Sequence, residues 1–163
     1  MTLSARDVMQ PDVVSVAPEA ALLEVHRLFV QEEIGGAPVV DDEGRVLGVI
    51  SAKDLLRAVQ EQYDSAAAAN APEYFREELP YSGPDWLAAP EDFQDRMASM
   101  TAADAMVRGV ITVPPGATVH EIARRMREQR IHRVFVVSGE ELVGIVTTFD
   151  LVRLLEKETA GAA

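Results

Sequence analysis

Two short runs place a hydroxyl three residues ahead of a carboxylate: Ser51-Ala52-Lys53-Asp54 and Thr147-Thr148-Phe149-Asp150. Each closes an apolar run and opens a helical one, so Asp54 and Asp150 stand at strand-to-helix junctions. A carboxylate there can accept charge-assisted hydrogen bonds from a pair of hydroxyls, and the helix N-terminus favours its charge. Aspartate is also a preferred helix cap, worth about 1 kcal/mol, and the two roles can coexist. The hydroxyls of Ser51 and Thr147 can face a ligand or tie down the local backbone. Lys53 can meet an anion, whereas the matching residue, Phe149, cannot. A third candidate is Ile131-His132-Arg133, where an arginine can fork onto phosphate oxygens and a histidine can add a donor. A plain cationic pair at a helix end would look the same.

The rest of the chemistry-bearing inventory is thin. Cysteine is absent, which excludes disulfides, thiol catalysis, iron–sulfur clusters and cysteine-ligated zinc. The histidines are His26, His120 and His132, and no HExxH, Walker loop or GxSxG run occurs. We therefore expect no enzyme, no catalytic residue and no resident metal. The chain has 163 residues and a net charge of -12. That balance argues against a nucleic-acid partner, which needs a basic footprint, and against an anionic membrane surface. With no basic-then-apolar leader and no long apolar run, the expectation is a soluble cytoplasmic protein.

The elements that position these residues occur twice. Ser4 to Arg57 aligns with Thr101 to Arg153 if one turn residue is dropped. Asp7 matches Asp104, Met9 matches Met106, Pro18 matches Pro115, Glu24 matches Glu121, and Val39-Val40 matches Val136-Val137. In each copy a short Val-rich strand ends at a proline. A helix with apolar residues at helical spacing follows, with Leu22, Val25, Leu28 and Phe29 in the first copy and Val119, Ile122 and Met126 in the second. Two apolar runs around Asp41-Asp42-Glu43-Gly44 or Ser138-Gly139-Glu140-Glu141 then read as a hairpin, and a last helix begins near Asp54 or Asp150. The order is β-α-β-β-α. A unit of this size makes a marginal core alone, so the copies are expected to pack as a pseudo-twofold pair. The expected organisation is residues 1–57, an insert at 58–100, and residues 101–163.

This doubled order resembles the cystathionine-β-synthase (CBS) domain, and the tandem pair resembles a Bateman module. The resemblance rests on Asp7-Val8-Met9 and Asp104-Ala105-Met106, on Ala37-Pro38-Val39-Val40 aligned with Val134-Phe135-Val136-Val137, and on the glycine-to-aspartate runs Gly48 to Asp54 and Gly144 to Asp150. It covers about two-thirds of the chain and implies an α+β, mixed α/β fold with two related clefts between the repeats. It also implies regulatory binding of an adenosine-type ligand, namely AMP, ADP, ATP or S-adenosylmethionine, without a required cofactor or a chemical step. The resemblance implies a homodimer, and an unidentified protein target is a further expectation.

On this resemblance Asp54 and Asp150 take the ribose hydroxyls, while Ser51 and Thr147 face ribose or the first phosphate. Val13, Val14, Val110, Ile111, Ala37, Pro38, Val134 and Phe135 would supply the apolar slot or backbone groups for adenine, although each taken singly also suits an ordinary core. His132-Arg133 resembles the His-Arg pair that faces phosphates in the regulatory subunit of AMP-activated kinase. Gly35-Gly36 replaces it in the first copy, so that cleft should grip phosphate weakly or not at all. The charges follow the same asymmetry. Residues 1–57 hold 10 acidic and 5 basic side chains, residues 58–100 hold 9 and 2, and residues 101–163 hold 8 of each.

The insert carries Tyr63, Tyr74, Phe75, Tyr81, Trp86 and Phe93, too aromatic for a disordered linker. Short helices are expected at Leu56 to Ala69, Glu73 to Glu78 and Pro90 to Met100. The competing functional reading is a ligand-free dimerisation or scaffold module that acts through this acidic, aromatic segment.

Overall fold

A computed structural model describes residues 2–60 and 91–160. In chain order the elements are α1 (Ala5–Val8), α2 (Leu22–Gln31), β1 (Gly36–Val40), β2 (Val46–Ser51), α3 (Ala52–Gln60), α4 (Glu91–Ser99), α5 (Ala102–Ala105), β3 (Thr112–Val113), α6 (Val119–Gln129), β4 (Arg133–Ser138), β5 (Glu141–Thr147) and α7 (Thr148–Ala160). The mixed α/β class and the β-α-β-β-α order of each copy are as expected. The first strand is the exception: in the first copy it shrinks to one bridge at Val16. Of the insert helices, the one expected at Pro90 to Met100 is α4. The one at Glu73 to Glu78, and the reach of α3 towards Ala69, lie outside the described residues.

Two compact units form, Val14–Val110 and Met1–Val13 with Ile111–Ala163. Their limits differ from the repeat boundaries because the lead-in segments change places. Residues ahead of Val14 pack with the second copy's sheet, and those from Thr101 to Val110 pack with the first copy's.

In the Val14–Val110 unit, β1 and β2 form an antiparallel hairpin whose register runs from Gly36↔Ser51 to Val40↔Val46. The turn follows from its residues. The Asp41 Oδ1 atom accepts the N–H groups of Glu43 and Arg45, each at 2.9 Å, and Gly44 takes the left-handed φ of 81° that a β-carbon disfavours. Val16 lies parallel to Val39, and Val107 pairs antiparallel with Val49, so each side of the hairpin gains a short flanking strand. The core forms where α2 lays Leu22, Val25 and Phe29 on Ala37, Val39 and Ile50, with Leu55 of α3 and Met97 of α4. Those three positions on α2 follow the i, i+3, i+7 stripe of a half-buried helix. Met97 is 1% exposed, which makes the end of the insert part of this core.

The other unit repeats the plan. Strand β3 runs parallel to β4, β4 pairs antiparallel with β5, and Gln10 pairs with Ile145 on the far side of β5. Ile122 and Met126 of α6 cover Val113, Val134, Val136 and Val146, with Ala5 from α1. Helices α2 and α6 end alike. Glu33 and Arg130 take φ 54°, and the Ile34 and Ile131 N–H groups bond back to Phe29 O and Met126 O at 3.0 Å. These are left-handed C-terminal caps built without glycine.

Candidate functional site

The last strand of each hairpin hands its chain directly to a helix, and the carboxylate is fixed at that step. Thr147 N–H and Thr147 Oγ1 both donate to Asp150 Oδ2 at 2.8 Å. Ser51 N–H and Ser51 Oγ donate to Asp54 Oδ2 at 2.8 and 2.7 Å. The aspartates are therefore not the caps. They stand three residues inside and reach back to the cap residue, closing one half of a capping box.

The same bonds recur at Ser4–Asp7 and Thr101–Asp104, so the local motif alone is not what singles out a site. Exposure separates the pairs. Asp7 and Asp104 are exposed, and both titrate below the usual carboxylate range. Ser4's hydroxyl is the main cause for Asp7, and Thr101's N–H for Asp104. Asp54 and Asp150 are 7% and 5% exposed, so their carboxyl groups are held away from bulk water.

In the second unit the pleat groups the neighbours. Arg133 lies directly opposite Thr147, and Phe135 opposite both Ile145 and Thr112. Alternate residues of a strand share a face, so Arg133, Phe135, Ile145 and Thr147 stand on one side of the sheet. Val134 and Val136 point into the core on the other. The arrangement is a half-buried guanidinium and a fixed carboxylate beside an apolar floor. His132 precedes β4, and its carbonyl accepts from Thr148 N–H at 2.9 Å and Thr148 Oγ1 at 3.1 Å. Arg133 thus begins β4 with His132 immediately before it, whereas α6 has already closed at Arg130.

The Val14–Val110 unit builds the counterpart. Gly36 lies opposite Ser51 and Pro38 opposite Val49, which gives an apolar floor beside Asp54 with no cation at the arginine's position. Lys53 is half-buried one residue before Asp54, and Arg57 Nη1 lies 3.7 Å from Asp54 Oδ1.

The remaining sequence candidates sort by packing. The side chains of Ala37 and Val134 are taken up by the two cores, and Ile111 packs against the second core. Val13, Val14 and Val110 are half-buried. Val13 and Ile111 belong to one unit, Val14 and Val110 to the other.

Sequence reasoning missed two contributors. Gln10 Nε2 donates to Asp150 Oδ1 at 3.0 Å across 140 residues of chain; its mismatch with Val107 in the self-alignment was the available signal. The motif glycines were noted but not explained. A β-carbon on Gly48 would lie 2.7 Å from Val107 O and 2.8 Å from Met106 Sδ, and one on Gly144 would lie 2.6 Å from Met9 Sδ. The glycine and the lead-in methionine are two halves of one packing contact.

Among the described residues no group of three or more His, Asp or Glu side chains is placed to hold a metal, and no helix is long and apolar enough to cross a membrane.

Comparison with known proteins places this geometry. The protein is 31% identical over 153 residues to the uncharacterized protein MJ1426 of Methanocaldococcus jannaschii, covering 92% of this chain and 89% of that one. It is 26% identical to MJ1225 of the same organism, covering 95% of this chain but 44% of that protein's length. Among solved structures, the CBS domain pair of MJ0100 in complex with 5'-methylthioadenosine and S-adenosyl-L-methionine superposes with a TM-score of 0.65 at 21% identity, covering 97% and 99% of the two chains. CBSX2 in complex with AMP gives 0.68 at 21% identity, covering 96% and 98%. The CBS domain model matches residues 5–61 and 102–157. The chain belongs to the CBS domain family, with one domain in each of its two copies.

Proposed function

We propose that the protein is a regulatory module that binds an adenosine-containing ligand, AMP, ADP, ATP or S-adenosylmethionine, at its strand-to-helix junctions. The observation that carries this reading is the buried carboxylate built twice by the same bonds. In each, Oδ2 is saturated by the cap residue while Oδ1 faces other partners. Asp54 and Asp150 would accept the ribose hydroxyls. Phe135 with Ile145, and Pro38 with Val49, would flank adenine. Arg133 and His132 would meet phosphate at the second copy, leaving the first with Lys53. Two relatives of the same fold crystallised with ligands of this class support the assignment.

Such a module regulates by binding two of its conformations unequally, and no bond need be made or broken. We read it as acting in the cytoplasm, as a homodimer and on a protein target. Helix α7 exposes Phe149, Val152 and Leu155 at three-residue spacing, a surface suited to a second copy and checked by sedimentation. The scaffold alternative rests on the insert, most of which lies outside the described residues.

The test is calorimetry against adenosine, AMP, ADP, ATP and S-adenosylmethionine. Asp54→Asn and Asp150→Asn are each expected to weaken one binding event about tenfold or more, and Arg133→Ala to weaken AMP more than adenosine. No heat from any of the five at millimolar concentration would overturn the reading.

A further inference from the structure

The two carboxylates are held by the same local bonds but are not equally open. A carboxylate offers about four acceptor positions. In both sites Oδ2 already takes two hydrogen bonds from the cap residue, so a vicinal diol must find its acceptors on Oδ1. On Asp54, the Arg57 guanidinium stands 3.7 Å from that atom, beyond hydrogen-bond distance. On Asp150, the Gln10 carboxamide already occupies it at 3.0 Å.

The difference comes from one position of the repeat. Gln10 and Val107 are equivalent in the two lead-in segments, and both pair antiparallel with the last hairpin strand, Gln10 with Ile145 and Val107 with Val49. The backbone frame is the same, and only the glutamine carries an amide. Gln10 is itself exposed, so its side chain has water to swing into. It behaves as a removable stopper on a buried acceptor.

The geometry points to Gln10 as the residue that ranks the two sites: its amide competes with a ligand's diol for Asp150, and Val107 brings no hydrogen-bonding group to Asp54. This rests on the reading of Asp54 and Asp150 as diol acceptors and goes beyond it by assigning different ligand preferences. A nucleoside without phosphate must break the amide bond to place its diol on Asp150 and gains no phosphate contact there, so it fills the first copy first. A nucleotide gains Arg133 and displaces Gln10.

The experiment uses the full chain with one carboxylate silenced at a time and adenosine as the probe. In an Asp54→Asn background, Gln10→Val is expected to tighten adenosine binding about fivefold, the usual worth of one net hydrogen bond. In an Asp150→Asn background, Val107→Gln is expected to weaken it by a similar factor, which shows that the amide is sufficient on the other frame. Unchanged or weaker adenosine binding in Gln10→Val, with binding still measurable, overturns the competition and makes the amide a bystander or a ligand contact. Absence of adenosine and AMP binding in every variant and in the wild type overturns the diol-acceptor reading itself, and the ranking with it.

Discussion

His26 shows how a single side chain sets a condition on the whole fold. It lies on the buried stripe of α2 between Val25 and Phe29, 7% exposed. Burial lowers its pKa below the ordinary 6.5, and the neighbouring Arg27 charge adds to that. With the folded value below the unfolded one, the unfolded chain binds the extra proton first. The neutral imidazole's contribution to stability is thus complete above the unfolded pKa and is lost as pH falls below it. The melting temperature is expected to drop between about pH 7.5 and about pH 5.5, and His26→Leu to flatten that slope. An unchanged slope in the variant would assign the pH response to another group. The depressed carboxylates Asp7, Asp41, Asp104 and Glu121 titrate in a more acidic window. They are separable from His26 on that ground.

At the scale of elements, the hairpin and the lead-in segment are made for each other. The two motif glycines should not be equivalent when replaced. Gly48→Ala drives its methyl into the Val107 carbonyl oxygen, a backbone atom that can move only by breaking the Val49–Val107 pairing. Gly144→Ala meets the Met9 side chain, which can turn aside, and approaches the Gln10 carbonyl oxygen only to 3.1 Å. Overpacking of this kind costs about 1–3 kcal/mol, with Gly48→Ala expected near the upper end and Gly144→Ala near the lower. Urea denaturation of the two variants measures the difference, and the reverse order would mean that methionine is the stiffer neighbour. This contact also marks where the sequence was readable. The hairpins and helices declare themselves through local apolar periodicity and turn residues, as Asp41 to Gly44 illustrates. Met97 shares α4 with Phe93 and Ala98, and nothing local announces that it closes the first core. Gln10 and Asp150 are 140 residues apart, so no window of sequence holds both.

At the scale of the molecule, the exchange of lead-in segments was hidden by the repeat itself. When two copies carry the same pattern, a contact between a segment and its own copy looks the same in sequence as one with the other copy. The backbone hydrogen bonds separate the two cases. Gln10 N–H and Ile145 O are 2.9 Å apart, and Ile145 N–H and Gln10 O are 3.0 Å apart. The matching Val49–Val107 pair measures 2.9 and 2.8 Å. Removal of residues 2–10 is therefore expected to loosen the second copy and spare the first. Hydrogen exchange should find the Ile145 amide unprotected in the truncated chain and the Val49 amide still protected. Equal loss at both amides would show that the two units melt as one.

The exchange bears on how such a chain can arise. What was duplicated, judged by the repeat, is a stretch beginning with the lead-in segment, yet that stretch does not contain the segment that flanks the last strand of its own hairpin. A lone copy leaves the edge beside its last strand bare and its motif glycine facing an empty notch. A second chain of the same kind supplies what is missing, and each gives what it receives. Fusion of two such chains turns a trade between molecules into one within a molecule. Within one chain the two lead-ins need not be identical, and Gln10 and Val107 are where they differ beside the two carboxylates.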